Sequence, residues 1–136
     1  HPEKQAFLNE LQAAIHSGGL TDDIHLIGHR SDLREVMAIS DCIVSLSTDP
    51  EAFGRVSLEA LALGKPVAAY DHGGVAEQLN ALLPQGKLPL GNTDLMAQKL
   101  EQWYRSPPTP APDPQEFSLH KMLSKTFAIY SEATHT

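Results

Sequence analysis

The sequence predicts an α/β fold, an open parallel sheet with helices on both faces. Three observations carry that expectation. Short apolar runs alternate with helix-periodic segments along most of the chain. The runs are apolar at successive positions, as strands are when both faces of a sheet are covered. Glycine or proline closes most of the periodic segments, which keeps the elements short and the connections tight.

The first periodic segment carries Phe7, Leu8, Leu11, Ala14 and Ile15, and Gly18-Gly19 ends it as helix C-termini prefer. Residues 24–28 (Ile-His-Leu-Ile-Gly) read as a short buried strand. Ser31 or Asp32 is placed to cap a helix running through Leu33, Val36, Met37 and Ile39. Residues 42–46 read as a second strand, followed by a polar loop over 47–54. A helix is expected over 55–63, stopped by Gly64-Lys65-Pro66, and a strand over 67–70. Residues 71–74 form a turn, 75–82 a helix and 87–90 a short edge strand. Residues 94–105 make an amphipathic helix with Leu95, Leu100 and Trp103 on its apolar side. Five prolines over 106–114 predict an extended connector. A last helix over 118–132 presents Leu119, Met122, Leu123, Phe127 and Tyr130 as a docking face. The division expected is a Rossmann-like domain over 1–106, a connector over 107–117 and a docking helix over 118–136.

Composition excludes several classes. A length of 136 residues with 41% apolar content suits one domain with a core. No apolar run is long enough to span a membrane, and the start has no basic segment leading into an apolar one. The net charge of −7 argues against nucleic acid as a partner. Cys42 has no second cysteine to pair with, which fits a buried thiol in a reducing compartment. The seven histidines are scattered; His25 and His29 fall on strand and loop, and no cysteine or carboxylate cluster completes a metal set. Neither a metal nor another cofactor is expected. Ser45 and Ser47 lack the companions of a hydrolase nucleophile. Trp103 and Tyr104 read as packing or helix-edge residues.

Open α/β sheets bind ligands beyond the carboxyl ends of their strands, which directs attention to 28–31, 47–54 and 71–74. The informative stretch is Glu51-Ala52-Phe53-Gly54-Arg55-Val56-Ser57-Leu58-Glu59. Two carboxylates flank the start of a helix, whose first-turn amides lack intrahelical partners and whose dipole is positive there. That is a site for a diphosphate. Gly54 has no side chain to hold a ligand away from the backbone. Glu51 and Glu59 accept hydrogen bonds from vicinal hydroxyls, one on each side of the phosphates. Spacing alone tips toward a plainer reading, with Glu59 on a helix surface and Glu51 a loop charge. For His72 and Gly73-Gly74 the plainer reading is a tight turn, the sharper one a cleft-mouth or phosphate-loop role.

The stretch from Glu51 to Ala69 resembles the E-x7-E region of the family 4 retaining glycosyltransferases of the GT-B fold. Its neighbours match in order: Ile24 to Leu33 resembles the family's strand and base-side loop. Ala38 to Ser47 resembles its Ala-Asp-Val-x-Val-x-Pro-Ser strand, and Gly73-Gly74-Val75-Ala76-Glu77 its Gly-Gly-x-x-Glu turn. The resemblance implies a partial C-terminal, donor-binding domain. By it, Glu51 serves catalysis and holds donor-sugar hydroxyls together with Phe53 and Gly54. The amides of Arg55 and Val56 face the phosphates, Glu59 binds the ribose, and Gly28, His29 and Arg30 lie beside the base. It implies a nucleoside diphosphate sugar as donor and a glycan or lipid-linked acceptor, as in polysaccharide or lipopolysaccharide synthesis. A cytoplasmic setting follows, at the inner membrane face where absent parts touch the membrane.

Two positions depart from the pattern. Ala52 stands where the family has glycine, which leaves the donor more open, and Leu46 where it has proline. The family's leaving-group Arg and Lys have no counterpart here, Lys4 and Arg30 being elsewhere, and the acceptor domain is missing. With no initiating methionine before His1-Pro2, the expectation is a processed chain or an excised domain, inactive alone. Strands that belong between those at Ile24 and Cys42 must come from a longer chain, another polypeptide or altered pairing. The competing readings are a non-catalytic nucleotide-sugar binder and a self-associating fragment.

Overall fold

The computed structural model describes residues 2–48 and 54–111. The chain divides between Ser31 and Asp32 into two compact units.

The first unit is built on α1 (Pro2–Ser17). Its C-terminus closes as the glycines require: Gly19 takes a φ of 67°, its N–H bonds the carbonyl of His16, and the Leu20 N–H reaches back to Ile15. This is the Schellman arrangement, which satisfies carbonyls the helix leaves open. Leu8, Leu11 and Ile15 are half-buried, Phe7 stays exposed, and no described residue of this unit is buried. Residues 24–28, expected as a buried strand, are irregular instead, and Ile24, Leu26 and Ile27 are exposed. A strand exists by virtue of its ladder, and none of the three described strands pairs with this segment.

The second unit runs α2 (Leu33–Ile39), β1 (Ile43–Ser45), α3 (Gly54–Ala62), β2 (Val67–Tyr70) and α4 (Gly73–Leu82). A 3-10 turn (Pro84–Gly86), β3 (Lys87–Leu88) and α5 (Thr93–Arg105) complete it. Among the described residues the sheet has three parallel strands in the order β1-β2-β3, with Ile43 opposite Val67 and Ala69 opposite Lys87. Parallel neighbours need crossovers, and α3 and α4 supply them. All four residues of β2 are buried. Successive side chains of a strand point to opposite faces, so both faces of the central strand are covered.

The helices bury the stripes their periodicity sets out. On α3 these are Ser57, Leu58, Ala60 and Leu61, and on α4 Val75, Gln78, Leu79 and Leu82. Two expected stripes shift. On α5 the inward residues are Met96, Leu100 and Trp103, four and three apart, while Leu95 is exposed. On α2 only Met37 is buried, and Ile39 is 86% exposed, because seven residues give one inward position against α3. Asp32 does hold the N-cap position there, without a side-chain capping bond. The connector expected over 107–117 is described to Ala111. It has no regular structure, Pro110 is buried, and the Ala111 N–H bonds the Leu82 carbonyl at 2.8 Å. The expected final helix lies outside the described residues.

Gly86 marks the tightest backbone approach. It is buried beneath the start of β2, and a Cβ there would overlap the Val67 carbonyl oxygen. Carbonyl and turn backbone have little room to move apart without breaking the β2 ladder. Gly86→Ala is therefore expected to destabilise the protein by ~1–3 kcal/mol, the usual cost of overpacking a closed interior. Urea unfolding of the two proteins side by side measures it.

Candidate functional site

The chain leaves β1 at Ser45 and β2 at Tyr70, so the following loops and the starts of α3 and α4 share the carboxyl edge of the sheet. This is the edge at which open parallel sheets hold ligands. Two sets of hydrogen bonds tie it together. The His72 Nε2 meets the Ser47 carbonyl at 3.0 Å and joins the two loops. A carbonyl only accepts, so this nitrogen carries a proton in either charge state of the ring. Below the loops, the Gln78 amide on α4 donates to the Gly54 carbonyl at 2.9 Å. The Ser57 hydroxyl lies 3.0 Å from the same carbonyl and also contacts Gln78 Oε1.

These bonds anchor the tip of α3 to α4. Gly54, half-buried, is the first helical residue, and the N–H groups of the first turn have no intrahelical acceptors. Arg55 and Val56 follow within that turn. Glu59 stands one turn further in, its carboxylate 3.5 Å from the Arg55 Nε, with both side chains over a third exposed. A pair so exposed contributes under ~1 kcal/mol, so it yields readily to a better partner for either group. Gly73 opens α4 with a φ of 66°, a conformation costly for other residues, which accounts for the turn in backbone terms.

Of the residues expected at the site, Gly54, Arg55, Val56 and Glu59 lie together on α3. Glu51 and Phe53 lie outside the described residues. Gly28, His29 and Arg30 belong to the first unit; all three are exposed, and Gly28 has a φ of 67°. The residues missed from sequence are Ser57 and Gln78. A signal existed for Gln78: with Val75, Leu79 and Leu82 it completes an i, i+3, i+4, i+7 stripe, a polar residue at an inward position.

A separate groove of ≈ 510 Å³ opens at the other end of the strands, lined by Cys42, Lys65, Pro66, Trp103 and Tyr104 among others. It holds neither helix tip, and the carboxyl edge remains the better candidate. Trp103 forms its buried wall, with Lys99 Nζ 6.0 Å from the indole centroid, while Tyr104 is 90% exposed. No helix among the described residues is long and apolar enough to cross a membrane.

A parallel sheet flanked by crossover helices, with helix tips gathered at its carboxyl edge, defines a Rossmann-like α/β domain. The chain belongs to the group 1 glycosyl transferases, whose family model matches residues 4–117. Over 110 residues it is 32% identical to the mannosylfructose-phosphate synthase of Agrobacterium fabrum, covering 75% of this chain and 24% of that protein. Over 64 residues it is 38% identical to an exopolysaccharide phosphotransferase of Streptomyces coelicolor, covering 47% of this chain and 7% of that protein. The chain thus spans about a quarter or less of the length of these relatives.

Cys42, at the foot of β1, is half-buried, and burial together with Asp41 pushes its thiol up to about 11. The thiolate is the reactive species, so alkylation at pH 8 should run ~100-fold slower than at an unperturbed thiol. The folded protein holds this proton more tightly than the unfolded chain does. The contribution to stability is therefore whole below the ordinary value of 9.0 and is lost as pH rises to about 11. Urea titrations across that window should show wild type losing more stability than Cys42→Ala.

Proposed function

We propose that this chain is the donor-binding part of the C-terminal domain of a family 4 retaining GT-B glycosyltransferase. The reaction moves a hexose from a nucleoside diphosphate sugar to a glycan or lipid-linked acceptor, with the anomeric configuration kept. The observation that carries the reading is the tip of α3, set at the carboxyl edge of the sheet and tied to α4 through Gly54. The first turn of the helix and the positive end of its dipole favour a diphosphate there.

In this reading the amides of Arg55 and Val56 hold the diphosphate, and Glu59 turns from Arg55 to the ribose hydroxyls. Glu51, with the backbone at Phe53 and Gly54, holds the sugar and serves the transfer, while Gly28, His29 and Arg30 border the base. The negative charge that grows on the leaving diphosphate needs more than amides. An Arg and a Lys from elsewhere in the complete protein would meet it, and the chemistry as proposed calls for no metal. Residues 1–106 act as the donor-binding body and 107–117 as a connector.

Membership in a glycosyl transferase family supports this reading. The Agrobacterium relative is named a synthase of mannosylfructose phosphate, in keeping with sugar transfer. The Streptomyces relative's name points to exopolysaccharide, in keeping with a role in surface polysaccharide synthesis. Such a donor sets the reaction in the cytoplasm, at the inner membrane face when the acceptor is lipid-linked.

The test is made in the complete protein. Glu51→Ala removes a charged hydrogen-bond acceptor, expected to lower kcat/KM by ~10–100-fold. Glu59→Ala should act mainly on the KM for the donor. Near-normal turnover of the Glu51 variant would refute its role. Calorimetry with a set of nucleoside diphosphate sugars separates the rival: binding without transfer in the complete protein marks a non-catalytic binder.

A further inference from the structure

We propose that His72 is a positioning residue for the donor sugar, acting through the Ser47 carbonyl on the loop that carries Glu51. This role rests on the reading that Glu51 holds the sugar, and it adds the group that sets the course of that loop.

His72 stands at the N-cap of α4, a place that favours a short side chain whose oxygen caps the helix. Its imidazole makes no capping bond. The half-buried ring is turned across the sheet edge instead, and Nε2 meets the Ser47 carbonyl at 3.0 Å, 25 residues away in sequence. The backbone that carries the ring is itself held. The Asp71 N–H bonds the Leu88 carbonyl at 2.8 Å, and the His72 N–H the Tyr70 carbonyl at 2.9 Å. The donor is therefore mounted on the end of the central strand.

Ser47 is held from its other side as well. Its N–H lies 3.4 Å from the hydroxyl of Ser45, the buried last residue of β1. The strand's order thus extends two residues past its end, through a hydroxyl below and a ring beside. Glu51 follows four residues after Ser47. The chain is caught again at Gly54, whose carbonyl accepts from the Gln78 amide at 2.9 Å. Both ends of the segment 48–53 are therefore fixed by side chains from the cap and body of one helix, α4. Fixed ends restrict the paths open to the residues between them and lower the ordering cost of binding. A carboxylate carried on such a segment loses its hydrogen-bond geometry when one end moves by an ångström.

The experiment uses the complete protein. Calorimetry compares each nucleotide sugar with its bare nucleotide: UDP-glucose with UDP, GDP-mannose with GDP, and ADP-glucose with ADP. Wild type should favour the sugar-bearing member of one pair, and Glu51→Ala should erase that preference. His72→Phe keeps a ring and removes the donor. It is expected to weaken binding of the nucleotide sugar about tenfold, on the scale of a hydrogen bond to a charged group, and to leave the bare nucleotide unchanged. General loosening of the fold would weaken both. Placed on Glu51→Ala, His72→Phe should add nothing, as for two residues that act through one contact. Two shorter-range variants identify the nitrogen. The amide of His72→Gln reaches the place of Nε2 and can donate to Ser47, whereas that of His72→Asn reaches only the place of Nδ1. The sugar preference should survive in His72→Gln and be lost in His72→Asn. Should His72→Phe unfold, this pair decides. An equal or reversed order of the pair, or an undiminished preference in His72→Phe, overturns the positioning role and leaves the site standing when Glu51→Ala erases the preference. A wild-type protein that binds no pair or binds both members alike, or a Glu51→Ala variant that keeps the preference, overturns the site reading and the positioning role together.

Discussion

The structure depends on the burial of β2. Val67, Ala68, Ala69 and Tyr70 are each 2% exposed or less, so this one strand must be covered above and below. Each buried apolar side chain contributes on the order of 1–3 kcal/mol, the alanines less, and a strand of four carries that gain on both faces. The parallel partners β1 and β3 need crossovers, and those crossovers are α3 and α4. Once β2 is central and parallel, both helices must start at its carboxyl edge. The proximity of the two helix starts is thus a consequence of how the core is buried.

Glycines serve the same constraint from opposite directions. Gly64 ends α3 with a φ of 76° and lets the chain turn directly into β2. The N–H of Lys65 then returns to Ala60, as in the closing turn of α1. Gly86 works by absence of volume, letting the 3-10 turn lie against the first residue of β2. Between these two points the central strand has little freedom of position, and neither do the loops that leave it.

The carboxyl edge gains its order from polar groups set into an apolar interior. The His72–Ser47 bond holds loop to loop, and the Gly54–Ser57–Gln78 cluster holds helix to helix. The exposed Arg55–Glu59 pair is of another kind, since water competes for it and its rearrangement costs little. A stiff support beneath exchangeable surface groups is what a site needs when the ligand must enter, be oriented and leave.

The sequence by itself determined the alternation of elements, the parallel character of the sheet, and the glycine stops at Gly18-Gly19 and Gly64. These follow from local periodicity and backbone preference, which act over a few residues. It also carried the signature around Glu51 to Glu59 that pointed to the family. Tertiary structure alone decided that residues 24–28 form no strand, because a ladder needs a neighbour no local pattern can supply. It alone chose Met96 over Leu95 for the core, since a helix has one inward direction and only the sheet says where that is. The meeting of Gln78 with Gly54 belongs there too, because a hydrogen bond across 24 residues exists only after the helices pack.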